Sequence, residues 1–226
     1  MKKPIIVFSL GGSLIVPDKV DYNYIEKFKR FVLKIIKYYN IVIVTGGGKT
    51  ARDYIKALHY ESDDMKSLVG IMATKLNARL VSGLFNLNED IPDNFIDVKR
   101  ELNKEGIVVC GGLGFQANMT SDGNAAELAK YFKAKMFINL TNVNGLFDKD
   151  PKKFKDVKLI NKISYDKFLK IANKIKYEPG QHFVLDQTAA KLIKKYKIKT
   201  YIINGKNLNN LYNLLKNKKY VGTLIS

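Results

Sequence analysis

Short apolar runs punctuate the chain at Ile5 to Leu10, Ile41 to Thr45, Phe95 to Val98, Ile107 to Cys110, Met136 to Leu140 and Thr200 to Ile203. Most are apolar at consecutive rather than alternate positions, the pattern of strands covered on both faces. Between them, apolar residues recur every three or four positions, the repeat of a helix with one buried face. Tyr24 to Tyr38 is the clearest case, with Ile25, Phe28, Val32, Ile35 and Ile36 in phase. Lys66 to Phe85, Asp122 to Phe132, Tyr165 to Ala172 and Asp186 to Tyr196 repeat the pattern, and Asp21, Ser121 and Ser164 stand where caps belong. This alternation predicts an α/β fold, a mostly parallel central sheet with helices on both sides. No linker or internal repeat divides the chain, so 1–226 reads as a single domain. A soft boundary falls near Thr141 to Pro151, where turn residues cluster.

Composition narrows the class. In 226 residues, 46% hydrophobic and 27% charged, there is material for a real core and too little bias for a disordered chain. No apolar run approaches the roughly 20 residues of a membrane span, and the first is too short for a secretory signal, so a cytoplasmic protein is expected. The single cysteine, Cys110, ends an apolar run and reads as core packing. The two histidines, His59 and His182, read as surface or loop residues. Thirty-nine Lys and Arg against 21 Asp and Glu give a net charge of +18, which favours anionic ligands. The lysines are dispersed, as in Lys152-Lys153-Phe154-Lys155 and Lys194-Lys195-Tyr196-Lys197, and arginines are few. That dispersion reads as a solvated surface, so neither nucleic acid nor a membrane is expected as partner.

Glycines supply the candidate chemistry. Three strand-like runs are followed at once by Gly11-Gly12-Ser13, Gly46-Gly47-Gly48-Lys49 and Gly111-Gly112-Leu113-Gly114. In a parallel sheet, ligands bind beyond the carboxyl ends of the strands, and glycine lets backbone N–H groups approach an anion closely. Two better-known phosphate motifs fail. A Walker A loop ending in Gly48-Lys49-Thr50 would need its first glycine at Ile43, inside a strand. Gly112 to Ala117 fits the spacing of a dinucleotide loop, but Asn118 to Ser121 delays the helix and no acidic residue closes the next strand. Arg52, just past the second loop on the first turns of a helix, is a candidate phosphate clamp. Asp122 reads equally as a helix cap or as part of the chemistry, and Asp150 before Pro151 as a turn.

The ordered set Gly11-Gly12-Ser13, Gly46 to Arg52, Thr120-Ser121-Asp122, and Thr141-Asn142-Val143-Asn144-Gly145 through Asp150-Pro151 resembles the amino-acid kinase superfamily. Within it, the set is similar to the archaeal type of uridylate kinase. The likeness runs to Asp186 before an Ala-Ala-Lys helix and to Gly222-Thr223-Leu224-Ile225. It implies a three-layer αβα sandwich, with an acceptor-binding lobe of about 1–140 and an ATP-binding lobe of about 141–226. The implied reaction is UMP plus ATP giving UDP plus ADP, with Mg2+ carried by ATP, in a homo-oligomer; the resemblance suggests a hexamer built from dimers. By family position, Ser9, Leu10, Gly11, Gly12, Ser13, Gly48 and Arg52 would hold the ATP phosphates. Thr141, Asn142, Phe147 and Asp150 would frame the adenine nucleotide. Gly47, Ser67, Phe115, Gln116, Ala117, Asn118, Met119, Thr120 and Ser121 would line the acceptor pocket. Lys49 and Asp186 would be catalytic, and no protein metal ligand is expected. Many relatives carry a lysine where Ser9 stands, a charge Lys49 would replace, and uridylate kinases usually carry an aspartate where Ser67 stands. Two alternatives stay open: a non-catalytic anion-binding, storage or regulatory protein on this fold, and a kinase of another small phosphate.

Overall fold

In the computed structural model, residues 3–87, 90–114, 119–149, 154, 156–174 and 185–226 are described. The elements run β1 (Ile5–Leu10), α1 (Gly12–Ile15), α2 (Tyr22–Ile35), β2 (Asn40–Thr45), α3 (Gly48–Ala57), α4 (Asp63–Leu84), α5 (Phe95–Glu105) and β3 (Ile107–Cys110). They continue with α6 (Ser121–Tyr131), β4 (Met136–Thr141), β5 (Lys162–Ile163), α7 (Tyr165–Ala172), α8 (Gln187–Tyr196), β6 (Thr200–Asn204), α9 (Leu208–Leu215) and β7 (Thr223–Ile225). One seven-stranded sheet has the order β3-β2-β1-β4-β6-β7-β5. All neighbours are parallel except β6 and β7.

Side chains of successive strand residues point to opposite faces, and here both faces are buried. Ile6, Phe8 and Leu10 of β1 and Ile41 and Ile43 of β2 pack with Phe28 and Val32 of α2, Val81 of α4 and Leu211 of α9. Val7, Val42 and Val44 join the other layer, with Val98 and Leu102 of α5, Leu128 of α6, Phe168 of α7 and Ile193 of α8. Ser9 has the parity of Val7, so it faces the α6 side. A buried hydroxyl in that layer requires a partner.

The strand expected at Phe95 to Val98 is the first turn of α5. Asn94 accepts from the N–H of Asp97 and starts a helix that buries Val98, Glu101 and Leu102, a spacing of three and four. Three apolar residues and one aspartate are too few to show a period, and the cap decides it. The cap of α6 is Thr120, one residue before the expected Ser121, whereas Asp21 and Ser164 cap α2 and α7 as expected. The short strands β5, at the sheet edge, and β7, beside it, carried no period long enough to be seen, and the eight-residue helix α9 was not anticipated although Leu208, Leu211 and Leu215 recur at three and four.

Candidate active site

From β1 the chain winds one way to β2 and β3, then returns through α6 to β4 on the other side of β1. Such a reversal opens a crevice beyond the carboxyl ends of the two diverging strands. The first two glycine loops meet there. The N–H of Gly11 donates to Leu140 O at 2.9 Å, and that of Gly46 to Leu10 O at 3.0 Å. A Cβ built on Gly12 would lie 2.0 Å from Gly48 N and 2.6 Å from Gly46 C, so only a residue without a side chain permits this backbone-to-backbone contact. Gly48 adds a φ of +66°, in the left-handed region that favours glycine.

The starts of α1 and α3 differ from those of every other described helix. Asp21, Ser62, Asn94, Thr120, Ser164, Asp186 and Asn207 each accept a backbone N–H at the starts of α2 and α4 to α9. Gly11 and Gly47, before α1 and α3, give no side-chain cap. Leu14 N is taken by Gly11 O and Lys49 N by Val16 O, which leaves the N–H groups of Gly12, Ser13, Gly48 and Thr50 for an external acceptor, and the dipole of α3 favours an anion. Arg52, one turn into this end of α3, donates to Pro17 O at 3.3 Å and has no carboxylate partner among the described residues. Lys49 is engaged: its ammonium lies 2.7 Å from both carboxylate oxygens of Asp53, one turn on. The charge expected to substitute for a lysine at Ser9 is thus held by an exposed, exchangeable pair rather than pointed at Ser9.

Ser9 instead donates to Asp122 Oδ1 at 2.5 Å. Asp122 is not the cap of α6, so the alternative reading of this residue gains: its carboxylate lies in the crevice beside the end of β1. Burial pushes its pKa from 3.8 up to about 7, the neighbouring Asp186 charge adds to this, and the bond from Ser9 opposes it. Asp186, almost wholly buried, is saturated. It accepts from Thr120 Oγ1, from Thr120 N at 3.3 Å, from Gly123 N at 3.2 Å and, as cap of α8, from Ala189 N at 2.6 Å. Its pKa is raised by burial and held back by these bonds. No lysine reaches it among the described residues; Asp186 ties the starts of α6 and α8 together and so fixes where Asp122 stands. Asp122, which the family positions leave out, is brought to the end of β1 by its bond with Ser9, and its place in Thr120-Ser121-Asp122 was a signal for it.

The third glycine loop is pinned from two helices. Thr74 of α4 accepts the N–H of Gly112 at 2.7 Å, and Asn124 of α6 accepts that of Leu113 at 2.9 Å. Beyond it, Met119, Thr120 and Ser121 lead into α6, with Asn124 Nδ2 on the Met119 sulfur. Ser67 lies on α4 one turn before Gly70, whose carbonyl sits 3.5 Å from where a Gly47 side chain would begin. Thr141 ends β4 and accepts from Gly205 N at 2.8 Å, opening a loop that contains the exposed Asn142. That loop is tied to β7 through Leu146 N on Thr223 Oγ1 at 2.8 Å, and Phe147 bridges to Leu159. Phe115, Gln116, Ala117, Asn118 and Asp150 lie outside the described residues. Cys110 is buried, and burial pushes its thiol up to about 12, in keeping with core packing. Among the described residues no three His, Cys, Asp or Glu side chains converge as a metal site, and no helix is long and apolar enough to cross a membrane.

The raised carboxylates carry a pH signature. A carboxyl whose folded pKa lies above its unfolded value takes up protons on folding, so its contribution to stability falls as pH rises between the two values. For Asp122 that window runs from about 4 to about 7. Asp122→Asn is expected to raise the unfolding temperature at pH 8, leave it nearly unchanged at pH 4, and flatten the decline between. Thermal melts across that range test it, and an unchanged wild-type slope in the variant contradicts the assignment.

Comparison with known proteins agrees with this architecture. The amino acid kinase family profile matches residues 4–204. A uridylate kinase of Methanococcus aeolicus is 39% identical over 88% of this chain and 90% of its own. One of Thermococcus onnurineus is 34% identical over 97% and 98%. The solved structure of uridylate kinase from Archaeoglobus fulgidus superposes with a TM-score of 0.83 at 32% identity, covering 98% of this chain and all of that one. With the profile spanning most of the chain and the crevice built from the loops that carried the resemblance, this chain belongs to the amino acid kinase family.

Proposed function

We propose that this protein transfers the γ-phosphoryl group of ATP to UMP, giving UDP and ADP, as a step in pyrimidine nucleotide supply in the cytoplasm. The observation that carries the reading is the pair of uncapped helix starts, α1 and α3, packed backbone to backbone at the β1/β4 crevice. Phosphoryl transfer asks a protein mainly to hold two anions in line and to neutralise charge on the moving group. The N–H groups of Gly11, Gly12, Ser13 and Gly48, next to Ser9 and Leu10, suit the ATP phosphates. Gly47 suits the acceptor phosphate, and Arg52 suits a bidentate clamp. Thr141, Asn142, Phe147 and Asp150 take the adenine nucleotide side, within 141–226. Ser67 and Phe115 to Ser121 take the nucleoside of the acceptor, within 1–140. The acceptor oxygen is already ionised, so no general base is required.

Lys49 leaves Asp53 for the transferring phosphate, and Asp186 acts by positioning. A Mg2+ ion fits as a companion of ATP, since such ions keep several waters and need only one or two carboxylates. Asp122, with one oxygen on Ser9 and the other unassigned, is the group to face it, and the ion would supply charge neutralisation on the phosphates. ADP release in a coupled assay tests the whole reading: UMP is expected to stimulate it strongly, and Lys49→Ala to lower kcat about 100-fold with little change in the KM for ATP. With Ser67 in place of an aspartate, dUMP is expected to follow UMP within roughly tenfold in kcat/KM. If no monophosphate stimulates ADP release, the storage or regulatory alternative replaces the kinase.

A homo-oligomer follows from the same reading. What supports it here is α4, whose Met65, Leu68, Met72 and Leu76 form one exposed apolar stripe, Met72 at 64% and Leu76 at 61% exposure. A two-fold axis through such a stripe covers it with its own copy. Met72→Glu is expected to shift the sedimenting species from dimer or hexamer towards monomer, and a monomeric wild-type protein contradicts the proposal.

A further inference from the structure

The dispersed lysines of the sequence converge in three dimensions on the end of the sheet opposite the crevice. The backbone contacts Asn40 N to Pro4 O, Lys135 N to Ile5 O and Phe137 N to Lys199 O align the starts of β2, β1, β4 and β6, four adjacent strands. Lys37, Lys3, Lys135 and Lys199 stand just before these starts in that order, all exposed. At about 4.8 Å between strands, they form a row about 15 Å long. Helices α2, α5, α6 and α8 also end here, and each brings further exposed lysines. Among the described residues near this end, the acids Glu105 and Asp166 are already paired with Lys104 and Lys194.

Lysine near a helix C-terminus is ordinarily explained by the helix dipole. That accounts for residues in the last turns and for two of the row, since Lys3 Nζ donates to Ile36 O at 2.9 Å and Lys37 follows Ile36, the C-cap of α2; it does not account for Lys135 and Lys199, three or more residues past the ends of α6 and α8. Nor does it account for Lys133 and Lys197, which hold left-handed backbone at φ 47° and 50°, positions where glycine or asparagine is the usual residue. Tyrosines interleave the charges. Lys130 and Lys195 lie 4.4 and 5.5 Å from the Tyr196 ring centroid, Lys216 lies 4.9 Å from that of Tyr38, and Lys135 lies 5.6 Å from that of Tyr39. Tyr38 and Tyr196 are exposed.

We propose that this lysine–tyrosine end, about 20 Å from the crevice by the length of β1, binds single-stranded RNA. Lysines track a phosphate backbone, and exposed aromatic rings stack bases without regard to sequence. The end is made of strand starts and helix C-termini, and among the described residues no helix projects from it to enter a duplex groove, which favours a single strand.

The test is fluorescence anisotropy with a labelled 15-nucleotide oligouridylate at several salt concentrations between 50 and 200 mM. Binding that weakens with salt is expected, and Lys37→Glu/Lys135→Glu/Lys199→Glu should lower affinity at least tenfold. Losing three phosphate contacts should also flatten the log–log salt slope by about 2. Tyr38→Leu/Tyr196→Leu should weaken binding with the slope unchanged, and Lys49→Ala/Arg52→Ala should leave binding intact, separating this end from the crevice. UMP-dependent turnover of the triple variant should match the wild type. Absence of binding at 50 mM salt, equal binding by the triple variant, or loss only in Lys49→Ala/Arg52→Ala overturns the proposal. Binding to phosphatidylserine vesicles with none to RNA overturns it in favour of a membrane surface.

Discussion

Asp186→Ala is expected to cost this protein about 3–5 kcal/mol of stability, because one carboxylate serves four donors drawn from two helices. A neutral side chain without an acceptor leaves the N–H groups of Thr120, Gly123 and Ala189 and the Thr120 hydroxyl unpaired in a nearly closed space. Each orphaned donor costs about 1–3 kcal/mol, partly relieved where water enters. For a chain of 226 residues that corresponds to a fall of roughly 10 °C or more in Tm. Asp186→Asn keeps an acceptor for some of these bonds and is expected to lose about half as much. Activity should fall further than stability explains, since the start of α6 carries Asp122. The measurement is Tm beside kcat for both variants, at a temperature where each is folded. An alanine variant with unchanged Tm would show that α6 and α8 are held together by something else.

Gly12→Ala is expected to be the most damaging of the conservative changes. A single methyl group there would meet Gly48 N at 2.0 Å and Gly48 Cα at 2.7 Å, both backbone atoms that no rotamer change can move. The loops must separate, and overpacking of this kind costs about 1–3 kcal/mol or more. The functional loss should be larger. The starts of α1 and α3 act on one anion only while they abut, and an error of about 1 Å in positioning costs on the order of 100-fold in rate. A folded Gly12→Ala protein with turnover within a few-fold of wild type would show that the two loops need not touch for transfer. Gly83→Ala, at a glycine with open space around it, is the control expected to do little.

Much of this molecule was legible before folding, for identifiable reasons. The five long strands are apolar at nearly every position because both faces are covered, and α2, α4, α6, α7 and α8 are long enough for a period of three to four residues to emerge. The glycine loops were legible because close backbone approach excludes every other residue. Phe95 to Val98 misled because four residues fit either period, and only Asn94 bonding to Asp97 N makes it a helix. Strands of two and three residues, β5 at the sheet edge and β7 beside it, leave no pattern at all.

By itself, then, the chain determined its layers, its glycine loops and the net charge of +18, since each is a property of local pattern or of composition. Only the tertiary structure decided which groups meet: Ser9 with Asp122 across 113 residues, Asp186 with Thr120 across 66, and Lys49 with Asp53 rather than with the end of β1. It also decided where the charge goes. Lysines that look scattered along the chain precede parallel strands, and parallel pairing brings those starts to one end while it carries the glycine loops to the other.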